Sequence, residues 1–150
     1  MIPIKQIRLD HKRIKPFIHD TIVLKSNTLN NLSDSSLFFK CENFQKSGSF
    51  KIRGASNTIL QIKKEKLKRG IVTASSGNHG AAIALISTKL GLKSTIVMPE
   101  NTSKVKVSNV IRNGGEIVWC DPNQDSRDKV LNDLILKTRK ILVHPYNDER

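Results

Sequence analysis

The sequence predicts an α/β fold in which a four-stranded parallel sheet flanked by helices occupies residues 70–150, and three observations carry the prediction. Four short β-rich runs recur at 71–74, 95–98, 117–120 and 141–144. Helical stretches near 79–90, 103–112 and 126–140 separate them. Gly91 and the pair Gly114-Gly115 stand where the first two helices should stop. Regular strand–helix alternation implies right-handed crossovers and a parallel sheet covered by helices.

Taken in order, residues 3–18 read as a basic helix, and the Asn- and Ser-rich segment 24–36 as a mixture of short helix and loop. Leu37-Phe38-Phe39-Lys40-Cys41 is a strand candidate with no obvious partner nearby. A lone strand leaves its backbone groups unsatisfied, so part of its sheet is expected outside residues 1–69. The turn 45–49 leads into a helix expected to run to about Lys68. In the last helix Val130, Leu131, Leu134 and Ile135 share one face. Asn101, Thr102, Ser103 and Ser126 are candidate helix caps.

The chain has 150 residues, 37% of them apolar and 5% aromatic, enough for a real core with an aliphatic interior. No apolar run is long enough to span a bilayer and no signal-peptide core follows Met1, so no membrane is expected and the cytoplasm is the expected setting. Cys41 and Cys120 form no Cys-x-x-Cys pair and read as free thiols, with no metal site, and Trp119 reads as core. The formal charge is +13, with residues 1–69 holding 15 Lys and Arg against 5 Asp and Glu. The densest cluster, Lys63 to Arg69, closes a predicted helix where cations suit the dipole. No aromatics are interleaved with it to stack on bases, so nucleic acid is not expected as a partner.

Two stretches carry chemistry. Ser75-Ser76-Gly77-Asn78-His79-Gly80 joins a strand to a helix through small residues. Backbone N–H groups, two hydroxyls and an amide converge there on the positive end of a helix dipole, making a cradle for a small anion, either carboxylate or phosphate. Lys51 follows Gly48, Ser49 and Phe50 in the first turn of a helix, a setting suited to Schiff-base chemistry.

The run 38–55, with Lys46-Ser47-Gly48-Ser49-Phe50-Lys51 at its centre, resembles the cofactor-lysine segment of fold-type II pyridoxal-phosphate enzymes. Within them it is most similar to serine racemases and serine/threonine dehydratases. The loop 75–80 resembles their second hallmark, and the similarity continues through Asp125-Ser126-Arg127 and His144-Pro145. The resemblance implies pyridoxal 5'-phosphate as cofactor and serine or threonine as substrate, racemised or dehydrated. It makes Lys51 the Schiff-base lysine and base, and Ser76 the second acid/base. Phe50 and Asn78 contact the cofactor, and Ser75, Ser76, Asn78 and His79 gather the substrate carboxylate. By the resemblance, Ser26, Lys46 and Ser47 match the family's nucleotide-effector positions while Asn27, Thr28, Tyr146 and Ala81 depart from the residues usual there, which leaves effector binding open.

By the same resemblance, residues 70–150 form the family's small domain and residues 1–69 an incomplete N-terminal portion of its large, cofactor-lysine domain. No tetraglycine-like phosphate loop occurs among the eight glycines. The isolated chain is therefore expected to be weakly active or inactive. The rival expectation is a non-catalytic chain that forms a homo- or hetero-oligomer with a full-length relative.

Overall fold

A computed structural model describes residues 2–148 and 150. Helix α1 (Ile4–Ile14) runs into one 3₁₀ turn that Pro16 favours through its fixed φ. Strand β1 (Val23–Leu24) pairs antiparallel with β2 (Phe39–Lys40), and helix α2 (Asn27–Ser33) lies between them in sequence. Ser26 caps α2 by accepting from the Leu29 N–H. Two 3₁₀ turns then lead to α3 (Lys51–Leu60) and the single-turn α4 (Lys64–Leu67). The rest alternates: β3 (Ile71–Ala74), α5 (Asn78–Lys89), β4 (Ser94–Pro99), α6 (Lys104–Arg112), β5 (Glu116–Cys120), α7 (Gln124–Thr138) and β6 (Ile141–Leu142).

The four later strands form one parallel sheet in the order β5-β4-β3-β6. The chain steps outward from β3 to β5, and α7 then carries it back to the other side of β3. That reversal leaves a crevice between the carboxyl ends of β3 and β6, the position where open α/β sheets take ligands. Both faces of the sheet are covered. Ile71, Ile96 and Met98 join α5, α3 and Ile14 of α1 in one apolar cluster. Ala74, Val97 and Cys120 pack on the other side against Val130, Leu131 and Leu134 of α7. Strands buried on two faces read as continuous apolar runs, as β3 and β4 do. The first cluster continues from the sheet into residues 14–62, so α3 is seated directly on α5.

Several expectations are corrected. The strand at 37–41 has a partner inside the same segment, because Val23 and Leu24 pair with Lys40 and Phe39. The helix after Lys51 does not run to Lys68. Gln61 and Ile62 donate to carbonyls three residues back, Lys63 is extended (ψ 134°), and this break turns Ile62 into the core. Asn123, not Ser126, caps α7 by accepting from the Ser126 N–H at 2.7 Å. Trp119 is not core. On the edge strand β5, alternation sends Cys120 towards α7 and leaves Trp119 44% exposed on the other face. Strand β6 stops at Leu142, although the Val143 N–H still donates to Val72 O.

Candidate active site

The cradle begins where β3 ends. The Ser75 N–H donates to Val97 O, which holds the strand edge up to the turn. The Ser75 hydroxyl then accepts from the N–H groups of Gly77 (3.2 Å) and Gly80 (3.0 Å), closing the loop onto the first turn of α5. Gly80 is required by packing: a Cβ there would lie 2.9 Å from Ile96 Cγ2. Among the described residues, the N–H groups of Ser76, Asn78 and His79 have no acceptor. Three orphan donors at the positive end of a twelve-residue helix have the chemistry to receive an anion. Ser76 and Asn78 are exposed beside it and Ser75 is half-buried.

His79 is turned inward. It is buried, and its Nε2 lies 3.3 Å from Val143 O, an oxygen that also accepts from the Thr73 hydroxyl at 2.7 Å. Burial pushes its pKa down to about 4, further than the Val143 carbonyl holds it up, so the imidazole is neutral at neutral pH. With the Nε2 proton on that carbonyl, His79 offers the cradle its backbone N–H.

Lys51 arrives from the other half of the molecule. The buried Gln45 side chain accepts from the N–H groups of His19 (2.7 Å) and Lys46 (2.8 Å) and donates to His19 O (2.8 Å), anchoring the turn. Ser47 (φ 65°) and Gly48 (φ 80°) are both left-handed and reverse the chain into α3. At Gly48 such a φ is free of the Cβ clash that burdens other residues. Lys51 is the first residue of α3, and its Nζ donates to Pro145 O at 3.0 Å. Phe50, next to it, is exposed.

Lys51 and the whole 75–79 loop line one cleft of about 370 Å³, in the range that holds a small cofactor. The start of α7 also lines it, with Gln124, Arg127 and Asp128. The Arg127 Nε is buried and, among the described residues, has no hydrogen-bond partner. The structure thus brings together Lys51, Ser75, Ser76, Asn78 and His79, with Phe50 on a neighbouring recess that Lys51, His79 and Tyr146 also line. Sequence reasoning did not assign Gln124, Arg127 or Tyr146 to the site. A helix start following β5 and a turn following β6, both at the carboxyl edge, were the signal that could have found them.

The family model for pyridoxal-phosphate dependent enzymes matches residues 14–150. The chain belongs to that family. The cofactor of this family is pyridoxal phosphate, and the lysine amine and the cleft volume are compatible with it. Serine racemase of Arabidopsis thaliana is 47% identical over 147 residues, which is 98% of this chain and 44% of the relative. The solved structure of maize serine racemase superposes with a TM-score of 0.93 at 44% identity, covering 97% of this chain and 44% of the other. The solved structure of a threonine deaminase from T.th. gives a TM-score of 0.89 at 32% identity, covering 99% and 46%. The chain thus spans less than half the length of the relatives it matches.

Proposed function

We propose that this pyridoxal-phosphate family chain supplies the lysine and the carboxylate receptor of a site that racemises or dehydrates serine or threonine. The observation that carries the reading is one cleft holding both the Lys51 amine and three orphan N–H groups. The serine racemase and threonine deaminase relatives support the choice of substrate.

Pyridoxal phosphate, when bound, supplies an electron sink that makes the α-hydrogen of an amino acid removable. Lys51 is the residue that would hold it and the base that takes or returns the α-proton at Nζ. Ser76 Oγ, exposed in the same cleft, is the second proton carrier. Inverting a stereocentre needs both groups, whereas losing water needs only Lys51. The substrate carboxylate is received by the N–H groups of Ser76, Asn78 and His79, with the Ser75 hydroxyl beside them. The Asn78 amide and the Phe50 ring are the side chains that would contact the cofactor on this half of the site. A neutral His79 adds no positive charge next to Lys51, and its bond to Val143 O keeps the first turn of α5 in place.

The test is titration of the chain with pyridoxal phosphate, reading the visible absorbance, the D-serine content and the 2-oxo acid released. The native chain is expected to give the absorbance band with weak or no turnover, and Lys51→Ala is expected to lose the band. Ser76→Ala is expected to lose racemisation and keep dehydration. Turnover that survives in Lys51→Ala would refute the reading.

A second reading has its own observation. Phe38 (61% exposed), Phe44 (60%) and Leu32 (79%) lie uncovered around the β1–β2 ribbon. Apolar exposure of this kind marks an interaction surface. On this reading the chain binds a full-length relative without catalysing. Co-purification with that relative and no spectral response to pyridoxal phosphate would favour it.

A further inference from the structure

Residues 144–148 form a strap across Lys51, and their own side chains build it. His144 Nδ1 accepts from the N–H groups of Tyr146 (3.1 Å) and Asn147 (2.9 Å), which turns the chain sharply after Pro145. Asp148 accepts from the His144 N–H (3.4 Å) and from Arg150 (2.7 Å), and Arg150 also donates to Leu142 O (3.0 Å). The strap is therefore tied to itself and to the end of β6.

Two of its groups reach the lysine. The Pro145 carbonyl accepts from Nζ at 3.0 Å, and the Tyr146 ring centroid lies 5.1 Å from the same atom. The Phe50 ring lies 5.5 Å away. Tyr146 otherwise makes an edge contact with His144, at 6.1 Å between ring centroids, and is 86% exposed. A ring that exposed fills no core, so packing does not account for its place beside the lysine.

An amine adds to an aldehyde through its nitrogen lone pair. A lysine head that donates into a carbonyl and lies against two aromatic faces presents hydrogens to all three partners and no lone pair. We infer that Tyr146 is a positioning residue that holds Lys51 in a closed, unreactive arrangement, which an aldehyde ligand must open by displacing the strap. The inference rests on the reading of Lys51 as the cofactor-carrying residue. It places control of cofactor loading in this chain, on the segment following β6.

The experiment is timed reductive labelling with pyridoxal phosphate and sodium borohydride. Labelling joins the Lys51 nitrogen to the aldehyde carbon, one water leaves with the carbonyl oxygen, and borohydride delivers the hydride that makes the bond permanent. Peptide mass spectrometry reads Lys51 against the exposed Lys12 in the same sample. Tyr146→Ala is expected to label Lys51 roughly two- to fivefold faster than the native chain, the size of one exposed cation–π contact. Tyr146→Phe, which keeps the ring, is expected to match the native rate. Equal or slower labelling in Tyr146→Ala, or a Phe variant that behaves like the Ala variant, overturns the inference while leaving Lys51 as the reactive lysine. No labelling of Lys51 in any of the three chains overturns both the inference and the reading beneath it.

Discussion

All four residues of β3 and the first five of β4 are buried, whereas both residues of β1 and both of β2 are exposed. The residue types do not explain this difference. Val23 and Leu24 are as apolar as Val72 and Val97. What differs is coverage: the parallel sheet has helices on both faces, while the two-stranded ribbon has two residues per strand and, among the described residues, no third neighbour. A ribbon of that size is marginal unless something packs on it. The N-terminal part compensates locally with polar ties, namely Glu42 to Arg53 and Thr21, and Gln45 to the His19 backbone. The lysine comes from this part and the anion cradle from the sheet. The site therefore depends on the packing of α3 against α5 more than on either region by itself.

The comparison is broken most strongly by removing core volume on one side only. Ile96→Ala, in the fully buried centre of β4, is expected to cost about 2–5 kcal/mol of unfolding free energy in denaturant melts. Phe38→Ala, at the exposed ribbon, is expected to stay within about 0.5 kcal/mol. Comparable losses in the two variants would mean that the ribbon is a second core.

Acid is the next lever. The folded pKa of His79 is about 4 against 6.5 for the free side chain, so between those values the unfolded chain binds more protons. The stability this contributes is complete above pH 6.5 and is lost as pH falls towards 4. It amounts to at most about 3 kcal/mol, taking about 1.36 kcal/mol per unit. Melts at pH 7 and pH 4.5 should show the loss in the native chain and a flatter profile in His79→Asn. Equal slopes would place the acid-sensitive group elsewhere.

A smaller loss belongs to the N-terminal tie. Arg53 grips both Glu42 oxygens, at 2.7 and 2.8 Å, and Thr21 donates to one of them, so the Glu42 carboxyl is held down at about 2. Glu42→Gln is expected to cost about 1–3 kcal/mol. The native pair's contribution stands above pH 4.5 and fades as pH falls towards 2. If the tie orients α3 and so seats Lys51 against the strap, labelling of Lys51 should quicken in this variant as well, and an unchanged rate would confine the tie to stability.

Much of this was legible along the chain. The expected runs at 71–74, 95–98 and 117–120 lie inside the observed β3, β4 and β5, because strands buried on both faces advertise themselves as unbroken apolar stretches. The turn at 75–80 was recognisable as a strand-to-helix junction with free donors, since small residues between a strand and a helix dictate which N–H groups stay unpaired. The resemblance around Lys51 singled it out as the expected cofactor lysine, and the structure brings it to the same cleft as the 75–79 loop. Local signals reach only a few residues, and what they left open has a common cause. The pairing of Val23 with Lys40, the exposure of Trp119 on an edge strand and the turn that buries Ile62 each depend on neighbours distant in sequence. The same holds at the site. Arg127 stands opposite Lys51 because α7 starts at the carboxyl edge of the sheet, and Tyr146 reaches Nζ because β6 returns beside β3. Local sequence determined the strands β3 to β5, the helices between them and the free N–H groups of the 75–79 turn. Only the tertiary structure decided what the lysine amine touches, because a carbonyl 94 residues further along the chain is brought to it by sheet order.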